Sequence, residues 1–333
     1  HGCQTAVMAP TELLAEQHQL NFQQWLEPLG IQVALLTGQM TAKSQRETLQ
    51  RIASGEVQVI IGTHALFQDK VIFHKLALAI IDEQHRFGVH QRMALQHKGA
   101  YPHQLVMTAT PIPRTLTMTL YADMDVSVID ELPKGRQPIT THTAAQPKRP
   151  ELIERLRKIL AQGQQAYWVC TLIEPSEEIE ALSAEEAFDL LRRELPEFRV
   201  ALLHGRMKGD EKVEVMRAFK AGEYQLLVAT TVVEVGVDVP NATQMFIENA
   251  ERLGLAQLHQ LRGRVGRGSK ASRCFLLFKP GVSQAGQHRL NALRQSQDGF
   301  YLAEQDLKLR GPGDILGTRQ SGEQSFKIAD LSE

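Results

Sequence analysis

Short apolar runs punctuate this chain, and each is followed by a polar cluster and then by apolar residues at helical spacing. The runs at 5–9, 33–37, 57–61, 77–81, 104–107, 126–129, 166–170, 200–203, 224–229, 244–247 and 274–278 read as strands. Between the strands, Val213, Met216 and Phe219 recur along one helical face, as do Leu152, Ile153, Leu156, Ile159 and Leu160. Gly55 and Gly222 stand where such helices end. Strands alternating with helices predict an α/β protein whose parallel sheets are covered on both faces, because a strand buried on both sides reads as a continuous apolar run.

The pattern occurs twice. Val33-Ala-Leu-Leu-Thr-Gly-Gln-Met40 returns as Val200-Ala-Leu-Leu-His-Gly-Arg-Met207, and the register holds without a gap from Thr63 to Thr230. Glu47/Glu214, Gly55/Gly222, Glu56/Glu223 and Gln58/Gln225 match within it. A single repeat of this length is too long for a solenoid and predicts two domains of one architecture. The segment from Leu132 to Pro150, rich in proline and polar residues, reads as the join. The expected division is residues 1–142, 143–282 and a tail of 283–333.

Composition narrows the class. The 333 residues are 43% hydrophobic and 23% charged, with 37 Lys+Arg against 38 Asp+Glu. These values suit globular domains, and a net charge of -1 means that any nucleic-acid contact must come from local patches. No apolar run is long enough to span a bilayer. Cys3, Cys170 and Cys274 lie far apart, without a CxxC pair, and read as small hydrophobes of a reducing, cytoplasmic setting. The first residue is His1 rather than Met, so the sequence is expected to be a piece of a longer protein. Trp25 and Trp168 read as core aromatics.

The polar clusters follow directly on strands: Ala9-Pro-Thr-Glu12, Thr37-Gly38, Gly62-Thr-His64, Asp82-Glu-Gln-His85 and Thr108-Ala-Thr-Pro111, then His204-Gly205 and Ala229-Thr-Thr231. Ligands of open parallel sheets bind at those ends. Asp82 and Glu83 suit a pair in which one carboxylate holds Mg²⁺ and the other polarises water; they also suit acids opening a helix. A phosphate-cradling G-x-x-x-x-G-K-[ST] is absent: in Gly38 to Ser44, Lys43 stands where the second glycine belongs. In Gln260-Leu-Arg-Gly-Arg264-Val-Gly-Arg267, the two numbered arginines would share a helical face and fork onto phosphate oxygens, or belong to a basic patch on a nucleic-acid backbone. Gly236 and Asp238 could contact a nucleotide or brace their loop.

In order and content these motifs resemble those of the superfamily-two helicases over nearly the whole chain. Asp82-Glu-Gln-His-Arg-Phe-Gly-Val89 is similar to the bacterial branch-migrating DNA helicases; the related transcription–repair coupling factors more usually carry Asp-Glu-Glu-His. The stretch from Asp298 through Arg310-Gly-Pro-Gly313 to Gly322 resembles the helical hairpin and loop that follow the motor in both groups. The resemblance implies two RecA-like domains with ATP in the cleft between them, the phosphate loop and an amino-terminal wedge domain lying outside this stretch. It implies Asp82 for Mg²⁺, Glu83 for water, and Gln260, Arg264 and Arg267 at the nucleotide, Arg267 as arginine finger. Gly236 and Asp238 belong to the nucleotide site, and His85, Thr108, Thr110, Arg310 and Gln320 to coupling. Thr11, Gly38, Thr63, His204 and Thr230 would face DNA. Branched double-stranded DNA and a single-strand DNA-binding protein are the implied partners. The other expectations are a coupling-factor motor or a non-catalytic module that binds nucleic acid, and this piece alone is expected not to hydrolyse ATP.

Overall fold

The structure, a computed structural model, describes residues 2–83, 98, 102–109, 125–129, 131, 133, 135–171, 177–231 and 237–310. The chain divides into two compact units at Ala109/Thr110. In the first, strands β1 (Gln4–Met8), β2 (Val33–Leu36), β3 (Val59–Gly62), β4 (Leu76–Ile81) and β5 (His103–Val106) form one parallel sheet in the order β2-β3-β1-β4-β5. Helices α1 (Glu12–Leu26) and α2 (Ala42–Ser54) belong to this unit. Both faces are dry. Val7, Val33 and Ile61 pack with Leu14 and Ala15 of α1, while Ala6, Met8, Leu36 and Ile60 pack with Ile52 of α2.

The second unit has six parallel strands: β6 (Thr140–Ala145), β7 (Gln165–Val169), β8 (Val200–Leu203), β9 (Leu226–Ala229), β10 (Ala242–Ile247) and β11 (Arg273–Phe278), ordered β6-β11-β10-β7-β9-β8. Helices α3 (Arg149–Ala161), α4 (Glu177–Glu194), α5 (Gly209–Lys220), α6 (Leu255–Arg262), α7 (Gln284–Gln295) and α8 (Gly299–Arg310) accompany it. One face carries a row of stacked rings in register across four strands: His142, Phe275, Phe246 and Trp168, with adjacent centroids 5.2, 4.9 and 4.9 Å apart. Each aromatic pair of this kind adds about 0.5–1.5 kcal/mol beyond its buried area. Among the described residues no helix is long and apolar enough to cross a membrane.

The internal repeat is a repeat of topology. β2 and β8, and likewise β3 and β9, occupy matching places, with Val33 beside Val59 as Val200 is beside Leu226. The match reaches individual hydrogen bonds. Gln58 Oε1 accepts from Gln32 N, and Gln225 Oε1 accepts from Arg199 N, one repeat later. At the head of the central strand, Gln4 Nε2 donates to the carbonyls of Ile52 and Val57, both at 2.8 Å. Gln165 Nε2 donates to the matching carbonyls of Phe219 and Tyr224 at 2.6 and 2.7 Å. Each glutamine ties the end of the crossover helix to the strand that follows it.

Three expectations differ. Thr140–Ala145, within the expected join, is the edge strand β6, so the second sheet takes in residues 140–142 as well. Its threonines and alanines carry too little apolar character to announce a strand, and its pairing with β11 supplies what composition does not. Residues 125–129 form no strand, and Ile129 is 94% exposed. Trp25, expected in the core, is 60% exposed at the end of α1, whereas Trp168 is fully buried.

Replacing Gln165 by Leu leaves two carbonyls without their buried donor, and each such group costs about 1–3 kcal/mol. The variant is therefore expected to lose about 2–4 kcal/mol in denaturant unfolding followed by Trp168 fluorescence. An unchanged midpoint would show that water replaces the amide there.

Candidate functional site

β4 delivers the acid pair. Its last hydrogen bond, Asp82 N to Met8 O at 2.9 Å, holds Asp82 at the tip of the sheet beside the central strand. Asp82 Oδ2 lies 2.9 Å from His18 Nε2 on α1. Helix α1 is fixed in turn by Thr11, whose Oγ1 caps it by accepting from Leu14 N at 3.4 Å. Glu83 adopts φ +52, a conformation glutamate enters only at a cost of order 1–3 kcal/mol. Its Oε2 accepts from Ala109 N at 3.4 Å, which links the second carboxylate to the segment beginning at Thr108. Among the described residues no group of three or more His, Cys, Asp or Glu could hold a metal ion. The carboxylate donors of Asp82 and Glu83 suit Mg²⁺, which is commonly bound through one or two carboxylates plus substrate phosphates.

The second unit repeats the turn with different side chains. Glu248 N donates to Val169 O at 2.8 Å, as Asp82 N does to Met8 O, and Asn249 follows with φ +47. Glu83 and Asn249 are the two non-glycine residues with positive φ among those described. Glu248, however, is committed: Trp168 Nε1 donates to its Oε1 at 2.7 Å and Arg149 pairs with it at 2.7 Å. An amide stands where Glu83 stands in the first unit, so the two units differ in the side chains they present at this turn.

The arginines of the second unit are carried differently from the expectation. Helix α6 ends at Arg262 with Gly263 as its cap, so Arg264 and Arg267 lie beyond it and share no helical face. Gly266, between the two arginines, turns with φ +75, a conformation that favours glycine, and a Cβ there would meet Ile139 Cγ1 at 2.8 Å. Arg136 Nε donates to Gly266 O at 2.9 Å and pins the turn. Arg267 folds back, its Nε 3.2 Å from Gly263 O and its Nη1 3.9 Å from Asp238 Oδ1. Arg264 is buried. Burial pushes the nearby Tyr167 hydroxyl up, opposed by the positive field of Arg264 and Arg267. Burial, then Arg267, lowers Arg136, and Asp238 works against both.

The expected DNA-facing residues fall into three settings. Gly38 is exposed beside α1, where Gln39 N donates to Glu12 Oε1 at 3.2 Å. Thr11 is committed to its cap. Thr63 and Thr230, one repeat apart, are buried at the ends of β3 and β9, and neither hydroxyl oxygen has a hydrogen-bond partner among the described residues. His204 is partly buried, with Nδ1 unpartnered and Nε2 3.7 Å from Glu185. Gln260 sits partly buried on α6, and Thr108 is exposed just past β5. His85, Thr110, Gly236 and Gln320 lie outside the described residues, as does the side chain of Arg310.

Two residues escaped the sequence reading. His18 is seven positions from Thr11 in an ordinary helix, and only the fold brings it to Asp82. Arg262 sits between Gln260 and Arg264, where it passes for part of a surface basic patch. It is 2% exposed, and its guanidinium donates to Leu293 O, Ser296 O and Thr141 Oγ1 at 2.6, 2.9 and 3.3 Å. It also lies 2.9 Å from His259 Nδ1. A guanidinium only donates, so His259 Nδ1 must accept, and the neutral ring carries its proton on Nε2.

The chain resembles known proteins along its length. A model of the DEAD/DEAH box helicase matches residues 1–119, one of the helicase conserved C-terminal domain matches 151–269, and one of ATP-dependent DNA helicase RecG, domain 3, C-terminal, matches 296–333. It is 61% identical over 336 residues to the ATP-dependent DNA helicase RecG of Escherichia coli (strain K12), covering 99% of this chain and 48% of that protein. It is 50% identical to the RecG of Bacillus subtilis (strain 168), again over 99% and 48%. The chain thus spans about half the length of these relatives. A solved structure of RecG bound to a three-way DNA junction matches with a TM-score of 0.81 and 44% identity, over 99% of this chain and 42% of that one. A yeast Dbp5 structure matches at 0.64 with 16% identity and shares the fold alone: two RecA-like domains.

Burial, and then Arg262, push His259 down to about 4 from an ordinary 6.5. Between those values the unfolded chain binds the proton and the folded one does not, so stability rises with pH across that window. The contribution is complete above about 6.5 and is lost as pH falls toward 4. The difference in unfolding midpoint between the unsubstituted chain and His259→Gln should therefore shrink or reverse as pH is lowered from 7 to 4. A difference independent of pH would rule out a neutral, buried His259.

Proposed function

The chain belongs to the RecG-type DNA helicases, and from that premise we propose that it is the ATP-driven motor of a protein that remodels branched double-stranded DNA. Stalled forks and Holliday junctions, met in recombination and repair, are its substrates in this reading. The observation that supports it most is the division of chemistry between the units: a strained acid tip in the first and a turn of arginines in the second. ATP would supply the phosphoryl group, and Mg²⁺ bound with it would neutralise part of its charge. Asp82 would hold the metal, with His18 fixing one carboxylate oxygen and so its orientation. Glu83 would accept a proton from the attacking water, its carboxylate aimed by the Ala109 N–H. That contact makes the Thr108–Thr110 segment sensitive to the state of Glu83, the basis for assigning Thr108 and Thr110, with His85, to coupling.

Arg267 would act as the arginine finger, with Gln260, Arg264, Gly236 and Asp238 at the same nucleotide. Its contacts to Gly263 O and Asp238 are long and partly exposed, so releasing them costs little. Thr11, Gly38, Thr63, His204 and Thr230 would line the DNA path, and Arg310 and Gln320 would serve the tail. A single-strand DNA-binding protein as partner rests on the resemblance alone. A coupling-factor motor is the less favoured reading, because the relatives are RecG proteins.

In the full-length protein, Arg267→Ala should lower ATP turnover by about 10³–10⁵-fold while leaving DNA binding nearly unchanged. Weakened, salt-sensitive binding with intact turnover would make Arg267 a backbone contact instead. His18→Ala should raise the Mg²⁺ concentration needed for binding a fluorescent ATP analogue by about 10–100-fold. Equal Mg²⁺ dependence would remove His18 from the site.

A further inference from the structure

Arg267 hangs from a stretch of chain that no helix holds. Helix α6 stops at Arg262, and the residues on either side of Arg267 are Gly266 and Gly268. A glycine with φ +75 gives the turn no side chain of its own to fix it. Other segments do so instead. A Cβ on Gly268 would meet Pro240 O at 2.5 Å, so this glycine lies against the backbone that follows Asp238. Gly266 lies under Ile139, and its carbonyl accepts from Arg136 Nε at 2.9 Å. Arg136 and Ile139 belong to the segment that leads into β6. The backbone of Arg136 is tied down in turn, its N donating to Pro133 O at 3.1 Å.

The Gly266 carbonyl is a telling anchor. It shares one planar peptide unit with the N and Cα of Arg267, so a bond to that oxygen orients the plane from which the Arg267 side chain departs. The two guanidiniums are also electrostatic neighbours. Burial first, and then the positive field of Arg267, lower Arg136, while Asp238 opposes both. Asp238 is the same carboxylate that Arg267 Nη1 approaches to 3.9 Å.

We propose that Arg136 is a positioning residue for ATP hydrolysis: its bond to the Gly266 carbonyl holds the Gly266–Arg267 peptide so that the Arg267 guanidinium meets the transferred phosphoryl group. Arg136 itself touches no reacting atom. This rests on the reading of Arg267 as arginine finger given above, and it places the control of that finger outside the arginine motif, in a stretch that composition marks only as a join.

The test uses the full-length protein with Arg136→Met, Arg136→Lys, Arg267→Ala and the double variant Arg136→Met/Arg267→Ala. For each, ATP turnover at saturating duplex DNA, the KM for ATP, salt-dependent DNA affinity and thermal stability are measured, the Arg267→Ala proteins in single turnovers. Methionine keeps an apolar stem and lacks the donor. Arg136→Met should therefore lower kcat by about 10–100-fold with KM and DNA affinity nearly unchanged, since a misplacement of about 1 Å costs up to about 10²-fold. Lysine keeps a charged donor for the carbonyl, and Arg136→Lys should recover most of the loss. With Arg267→Ala in place, Arg136→Met should lower turnover no further, because the group it positions is gone. Should Arg136→Met fail to fold, Ile139→Ala, which uncovers the same glycine, is read by the same rule: kcat lowered with Arg267 present and unchanged without it. A loss of equal size in both backgrounds overturns the proposal, as does an unimpaired kcat in Arg136→Met. A raised KM for ATP at unchanged kcat would make Arg136 a direct nucleotide contact, and salt-sensitive loss of DNA binding would make it a backbone contact; either result overturns positioning. Intact turnover in Arg267→Ala overturns the finger reading instead, and absence of DNA-stimulated turnover in the unsubstituted protein overturns the motor reading itself.

Discussion

One buried amide in each unit holds the crossover that the sheet needs. In a parallel sheet the chain must leave over a helix and return, and the turn from helix to strand exposes carbonyls inside the protein. Gln4 and Gln165 answer this in the same way, each taking one carbonyl at the end of the crossover helix and one just before the next strand. Both sit at the first position of an inner strand, and the candidate residues Asp82, Thr63 and Thr230 lie at the other ends of the sheets. The position of the acid tip and of the buried threonines thus traces to polar groups satisfied on the opposite side.

The parts of the fold that could be read from residues are those where burial dictates composition. Ile60 and Ile61 of β3, or Leu227 and Val228 of β9, face apolar surroundings on both sides, and their runs announce them. β6 was hidden because an edge strand has one neighbour and tolerates threonine, histidine and alanine. The run 126–129 misled for the opposite reason: its valines and isoleucine are apolar and exposed. Spacing likewise suggested a helical face for Arg264 and Arg267, but the helix ends at Arg262 and the left-handed Gly266 turns the chain between them.

Asp82 and Glu83 could be singled out because the apolar run 77–81 announces a strand and the pair stands at its exit, although the pattern also suited acids opening a helix. His18, Arg262 and Asp306 could not be, since each acts across a long stretch of chain: His18 on Asp82, Arg262 on Leu293 and Ser296, Asp306 on Leu255. A local pattern cannot contain such a relation. The buried state of Arg262 is the sharpest case, because a guanidinium is the last side chain composition would place inside, and it is tolerated only by the acceptors that surround it.

The left-handed residue at the tip of each sheet is one corner built from two unlike side chains. Glu83 and Asn249 bend the chain alike although one ends in an acid and the other in an amide. Asparagine enters that conformation more readily than glutamate, so the same bend is the costlier one at Glu83. At the second corner Glu248, just before Asn249, is closed over by Arg149 and Trp168, so the two sheets bend alike and present different surfaces at the bend.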